Sequence, residues 1–310
     1  MAGEAVTLTV GIATRNRPKA LARCLESIAL INDMVTEIIV VDDASDRPVH
    51  PILQQAPAGI SKKIRLVELP AGLGCIAGRN QMMRLASNAV VLMLDDDAYV
   101  IDAGAVRRAA DVLVRHPDVA AVACAQAEAD GSPWPAAMQP SPAAYGCYVN
   151  AYIGCAALLR RSVFIELGGY QESFFFYGEE KDYCLRVMNA GYHVVYLPDA
   201  LVAHVPDRSG RSDSRYLRYV VRNDCLSAMY NEPLLLALLT VPVRLARYAT
   251  MRRHGRVRDP GGLRWILGGL MAALPGIWRT RTPVRWASIR RWRSLRRAWP
   301  RFESSPAPSA

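Results

Sequence analysis

Three consecutive carboxylates, Asp95, Asp96 and Asp97, follow the most continuously apolar stretch of the first hundred residues, AVVLML at 89–94. Three acids within three residues repel one another and demand positive charge nearby. A divalent cation with oxygen ligands, its shell completed by a diphosphate, is one answer. A solvated, Asp-rich turn at a strand end is the other reading of the same residues. A second acidic group, Glu179, Glu180 and Asp182, follows directly on FFFYG. Acids there suit the first turn of a helix, where free N–H groups and the macrodipole favour negative charge. They equally suit a general base set against an aromatic wall that raises its pKa toward the working range. His204, in the apolar segment 201–205, is by residue type either a core histidine or a metal ligand.

These side chains need elements to carry them. Segment 89–94 is too short for an ordinary helix and reads as a strand buried on both faces. Such a strand delivers its terminal acids to the C-terminal edge of a parallel sheet, where open α/β folds place their ligands. Strand-like segments at 6–13, 37–41, 64–69, 89–94 and 119–125 alternate with helix-like ones at 18–30, 76–87 and 103–115. This alternation predicts an α/β fold, a mostly parallel sheet with helices on both faces. Pro18 suits the first turn of its helix. Residues 130–146, rich in Pro, Ala and Ser, predict a long irregular loop, either a lid facing an acceptor or a plain surface excursion. A strand at 152–159 and helices at 162–167, 179–190 and 213–230 follow, with Gly168-Gly169 and Gly191 as stops. No internal repeat is present.

Four polar clusters fall where strands end. They are Thr14-Arg15-Asn16-Arg17, then Asp42-Asp43-Ala44-Ser45, then Gly72-Leu73-Gly74 leading into Gly78-Arg79-Asn80, and the aspartate triplet. Each alone is ordinary turn chemistry. One per βα unit, in register, they frame a nucleotide: carboxylates and backbone for base and ribose, glycines for close approach, Arg79 for phosphate charge.

At 310 residues the chain has room for one large α/β domain or two ordinary ones. Its seven cysteines are odd in number and scattered, which predicts reduced thiols in a cytosolic setting rather than a disulfide or zinc framework. No N-terminal signal peptide is expected, since Glu4 leads straight into the first strand. The net charge of +10 is unevenly spread: residues 1–243 hold 22 Lys+Arg against 26 Asp+Glu, whereas residues 244–310 hold 16 Arg against Asp259 and Glu303. Five of the six tryptophans lie in that basic tail. Apolar runs at 234–243 and 265–278 fall short of the ~18 residues that span a bilayer. Residues 244–301 therefore read in three ways. They form a peripheral anchor on an anionic membrane surface, a helical cap whose tryptophans pack on the body, or, least favoured, a nucleic-acid surface. Residues 304–310 are expected to be disordered.

The ordered set TRNRP, VVDDAS, GLGCIAGRN, LDDDA, FFFYGEEKDYCLR with AGY, and AHV resembles the family 2 glycosyltransferases of the GT-A fold. It is most similar to the bacterial subgroup that includes rhamnosyl- and galactofuranosyltransferases of cell-surface polysaccharides. The resemblance covers roughly residues 6–230. It implies a catalytic domain at 1–230, with a nucleotide-binding half at 1–97 and an acceptor half at 98–230, followed by a basic helical extension at 231–310. Thr14 and Asp43 match positions that contact the nucleobase, with Arg15, Arg17, Asp42 and Gly74 beside them. Arg79 matches a position near the nucleotide. Asp95 and Asp97 match the outer members of the D-x-D motif around Asp96, the first facing ribose or metal and the last binding metal. His204 matches a histidine that joins the metal shell. Glu180 matches the catalytic base, with Asp182 as second choice and Glu179 beside them. The family pattern at this point is Glu-Asp, whereas this chain has Glu179-Glu180.

The implied activity is inverting transfer from a UDP- or dTDP-linked sugar, with Mg²⁺ or Mn²⁺, to a glycan or lipid-linked acceptor. The implied setting is cytoplasmic, peripheral at the inner face of the cell membrane. A nucleotidyltransferase of related architecture, or a non-catalytic sugar- or nucleotide-binding protein, are the alternatives.

Overall fold

The computed structural model describes residues 6–206, 212–254 and 258–303. The expectations for residues 1–5 and 304–310 lie outside the described residues. Nine strands form one sheet: β1 Leu8–Thr14, β2 Val35–Asp42, β3 Ile64–Glu68, β4 Val90–Asp95, β5 Ala98–Val100, β6 Val119–Ala127, β7 Cys147–Tyr148, β8 Ala156–Arg160 and β9 His193–His204. The order is β3-β2-β1-β4-β8-β6-β9-β5, with β7 also on β9.

The first four strands are parallel, as expected from their alternation with helices. Beyond β4 the sheet is mixed. β8 runs antiparallel to both β4 and β6, and the short β5 and β7 run antiparallel to β9. The reason lies in the 130–146 segment, which turns the chain back without a crossover helix. A parallel return would need one. The first five residues of β4 and all nine of β6 are buried, as strands covered on both faces must be. One apolar layer joins Leu21 and Leu25 of the Pro18–Ser27 helix to Ala109 and Leu113 of Ala103–Arg115. The opposite layer contains Ile76, Met82, Phe164, Phe174 and Tyr183.

That second layer continues into the basic tail. Tyr248, Ile266, Leu270 and Ile277, from the helices Leu234–Arg253 and Gly262–Thr280, belong to the same buried cluster. Both helices pack on Asp213–Asn231. At 20 residues, Leu234–Arg253 is longer than the apolar run 234–243, and by length and composition it is apolar enough to cross a membrane. The run alone misleads because the helix continues through Arg244 and Arg247 to Arg253. The last helix, Trp286–Ser294, lies on Glu179–Asn189, where Ile289, Trp292 and Leu295 meet Leu185 and Met188.

The tail's tryptophans divide accordingly. Trp292 is buried and its Nε1 donates to Asn150 O at 3.0 Å. Trp265 meets the Tyr219 ring. Trp278 and Trp286 are 80% and 50% exposed. All seven cysteines are free thiols.

Candidate active site

The parallel strands end together. Thr14 pairs in register with Asp42, and Ala13 with Asp95, so the tips of β1, β2 and β4 open onto one edge. Between that edge and the Glu179–Asn189 helix lies a cleft of about 620 Å³. Its lining brings together Thr14, Arg15, Arg17, Asp43, Gly74, Arg79, the three aspartates, Glu179, Glu180 and His204. Asp42 and Asp182 do not line it.

The triplet separates by role as soon as the chain leaves β4. Asp96 turns inward and is buried, accepting from Thr14 Oγ1 at 2.8 Å and Arg17 Nη1 at 3.0 Å. Burial pushes its carboxyl up to about 6, against the pull of Arg17 and Thr14. Asp95 accepts from Arg79 Nη2 at 2.5 Å. Asp97 accepts from Arg17 Nη1 at 3.0 Å.

His204 reaches the triplet through backbone pairing. β5 begins one residue after Asp97, and Ala98 pairs with His204 across the β5–β9 ladder. The His204 Nε2 stands 3.4 Å from Asp97 Oδ1. Its Nδ1 lies 2.8 Å from Gln126 Oε1. An amide oxygen only accepts, so Nδ1 donates to Gln126 and Nε2 is the nitrogen that faces Asp97. Trp134, from the irregular loop, stacks on the imidazole at 5.4 Å. The ligand atoms of Asp95, Asp97 and His204 all lie within 4.8 Å of one another. Two carboxylates and an imidazole whose other nitrogen is held by Gln126 are a donor set that fits a divalent cation.

Opposite stands a buried charge cluster centred on Arg79, which projects from the Cys75–Leu85 helix. Its guanidinium bonds Glu179 Oε1 at 2.5 Å, Asp95 Oδ1 at 2.5 Å and Gly154 O at 3.0 Å, and lies 3.5 Å from Glu180 Oε1. Arg79 is thus occupied by the acids themselves. Three carboxylates share one guanidinium, so full ionisation leaves uncompensated buried charge. Burial and the neighbouring Glu180 push Glu179 up to about 8 despite Arg79, and burial also raises Glu180. Glu179 is nearly sealed, with 2% of its side chain exposed, whereas Glu180 keeps 18%. Asp182 is fully buried outside the cleft, between Arg186 Nε at 3.0 Å and Asn231 Nδ2 at 2.5 Å.

The remaining predicted residues have structural partners. Asp42 accepts from the amide and hydroxyl of Ser45, closing its own turn. Asp43 accepts from the amides of Leu73 at 2.6 Å and Gly74 at 3.0 Å, tying the glycine loop to the tip of β2, with Arg15 at 3.6 Å. Gly74 has φ +90°, and a Cβ there would meet Phe175 O at 2.6 Å.

Sequence reasoning missed four residues. A Cβ on Gly154 would stand 2.0 Å from Glu180 Oε1, so only glycine leaves that carboxylate its place. Gln126 and Trp134 orient His204. The Asn223 amide donates to Phe174 O, Phe176 O and Tyr177 O, at 3.1, 2.7 and 2.7 Å, holding a loop in which Phe175 and Tyr177 adopt φ +62° and +67°. Positive φ at aromatic residues is costly and persists only where surroundings enforce it.

Comparison with known proteins adds lineage to this geometry. The profile of Glycosyl transferase family 2 matches residues 9–168, and that of the N-terminal domain of galactosyltransferase matches residues 140–205. The chain is 26% identical over 260 residues to N-acetylglucosaminyl-diphospho-decaprenol L-rhamnosyltransferase of Mycobacterium tuberculosis, covering 69% of this chain and 83% of that one. Among solved structures it resembles the mannosyltransferase of Pyrobaculum calidifontis in complex with GDP-Man and Mn2+ (TM-score 0.57, 17% identity, 94% of this chain and 86% of that one). It also resembles residues 1–349 of S. aureus TarS in complex with UDP (TM-score 0.58, 17% identity, 87% of this chain and 81% of that one). At such identities what is shared is the fold, GT-A.

Proposed function

The chain belongs to glycosyl transferase family 2 and is a glycosyltransferase of the GT-A fold; on that premise we propose that it moves a sugar from a nucleotide-diphosphate donor to a hydroxyl of a lipid-linked glycan, with inversion at the anomeric carbon. The observation that carries this reading is the cleft's polarity. Asp95, Asp97 and His204 stand on one side, Glu180 on the other, and Arg79 joins them from beneath.

Asp95, Asp97 and His204 would hold Mg²⁺ or Mn²⁺, which when bound neutralises the charge that develops on the diphosphate leaving group. The chain's own residues do the rest. Glu180 accepts the proton of the acceptor hydroxyl as that oxygen bonds to the anomeric carbon. The bond from that carbon to the diphosphate oxygen breaks, and its electron pair leaves with the nucleotide. Glu180 suits the base role because it is the more accessible glutamate and lies farther from Arg79. Burial and Glu180 hold the sealed Glu179 carboxyl raised, whereas Glu180 opens to the cleft where an acceptor hydroxyl can reach it. Uridine and deoxythymidine diphosphate sugars are the proposed donors; TarS, with the same fold, is solved with UDP. The lipid-linked acceptor is supported by the relative from Mycobacterium tuberculosis, an N-acetylglucosaminyl-diphospho-decaprenol L-rhamnosyltransferase.

A thermal-shift series with UDP, dTDP, GDP, CDP and ADP, with and without Mn²⁺, tests the donor side. A metal-dependent shift for one nucleotide is expected. Absence of any shift on folded protein would overturn the reading. Glu180→Gln is expected to abolish transfer while preserving that shift, and near-normal turnover would remove Glu180 from the base role.

A further inference from the structure

We propose that the outer faces of the Leu234–Arg253 and Gly262–Thr280 helices form a docking surface for an anionic lipid bilayer, with both helices lying in its plane. On the first helix the exposed positions recur at helical spacing. Leu234, Leu235, Leu238, Leu239 and Val243 make up its first half, and Arg247 and Arg253 its second. Leu235 and Leu239 are 73% and 69% exposed. On the second helix Leu267, Met271, Leu274 and Trp278 are exposed, between Arg264 at one end and Arg279 at the other. Apolar side chains on this scale mark a surface made to be covered.

Charge selects the occupant. Residues 244–310 carry 16 arginines and two acids. One of those acids, Asp259, is buried against Arg218 Nε at 2.7 Å and the Tyr248 hydroxyl. An apolar face rimmed by arginine and tryptophan, with almost no free carboxylate, matches the acyl–headgroup boundary of an anionic membrane.

The geometry favours lying on the bilayer over crossing it. Leu234–Arg253 is long enough to span. Its inner side, however, is fastened to the body at three points: Ala237 and Tyr248 are buried, and Arg244 bonds Asp224 O and lies 3.6 Å from Glu232. The surface is also joined to the cleft. Trp265 packs on Tyr219, and Tyr219 stacks on Phe175 at the cleft wall. A docked protein would hold that aromatic wall near the membrane.

The test is co-sedimentation of the full chain with phosphatidylcholine vesicles, with and without phosphatidylglycerol. Binding that requires phosphatidylglycerol is expected, weakening at salt on the order of 0.5 M as screening sets in. The double variant Leu238→Asp/Leu239→Asp should lower partitioning by about tenfold or more, because two leucines no longer leave water. Trp278→Ala, a milder change, should lower it several-fold. Retained melting temperature shows that each variant is folded.

Folded wild type that ignores anionic vesicles would overturn the proposal, as would variants that bind undiminished. So would a dimer in sedimentation velocity that the same aspartates dissociate without any vesicle binding, since the face would then belong to a second copy. Glu180→Gln should bind vesicles like the wild type, so loss of docking and loss of the transfer reading are separately visible.

Discussion

At the cleft, charge lies inside: Arg79, Glu179, Asp96 and Asp97 are each 2–4% exposed. On the C-terminal helices the inversion runs the other way, with Leu235, Leu239 and Met271 each about 70% exposed. Both arrangements forfeit stability that a plain fold would keep, since buried charge loses hydration and exposed leucine gains nothing from folding. The difference lies in how each is compensated. The cleft offsets its charges internally, in part through Arg79 and Arg17 and in part through the proton that Glu179 retains. The helices have no internal compensation among the described residues, so the proposed compensation comes from outside the molecule. Chemistry that must be preorganised is built from groups that already hold one another. A docking face stays unsatisfied until its partner arrives.

The sharpest way to break this contrast is at Arg79. Arg79→Met leaves Asp95, Glu179 and Glu180 facing one another and should cost about 3–5 kcal/mol of stability, the price of an unbalanced buried charge, read by urea unfolding. The double variant Arg79→Met/Glu179→Gln should recover part of that loss, a coupling a double-mutant cycle measures. Glu180→Gln should lower kcat by roughly 10²–10⁴, the usual range for a general base, with the melting temperature nearly unchanged. Asn223→Ala frees three carbonyls of the strained loop and should cost about 1–3 kcal/mol, with a rise in KM as the aromatic wall loosens.

The pH dependence follows from the raised glutamates. Between the ordinary 4.5 and about 8, the folded state holds a proton on Glu179 that the unfolded chain releases. Stability from this group is therefore full below the lower value and falls as pH rises across the window, which melting temperatures at graded pH would show. The acid limb of kcat/KM should lie above the ordinary glutamate value, because Glu180 is raised too. Smallest of all, Leu238→Asp should change stability by no more than about 0.5 kcal/mol. Ile266→Asp, on the buried side of the neighbouring helix, should unfold the protein.

Legibility follows the same divide. Strand-end acids were readable because a buried parallel strand announces itself by its apolar run, and its terminus follows. Asp42 and Asp43 were separated only by the family resemblance, since which one faces the cleft depends on the turn that Ser45 closes. The pairing of Asp182 with Arg186, by contrast, is written in its four-residue spacing. Gly154, Gln126 and Asn223 carry no local signal. Each acts on residues 26 or more positions away in the chain, and only packing brings them together. β5, three residues long, is too short for any periodicity, yet it sets His204 beside the aspartates. In the tail, composition left a membrane, a packed cap and a nucleic-acid surface open, and it did not say which tryptophans turn inward.

The apolar layer that runs from beneath the sheet into the last helices has a practical meaning for anyone preparing this protein. A chain cut after Asn231, where the family resemblance fades, would lose Tyr248, Ile266, Leu270 and Ile277 from the cluster that contains Phe174 and Tyr183. It would also lose Arg281, which bonds the Met229 carbonyl, and the amides of Thr282 and Val284 that bond Tyr230 and Asn231. Such a fragment should accumulate as inclusion bodies rather than as a trimmed enzyme. The full chain, not a truncated one, is the route to folded material.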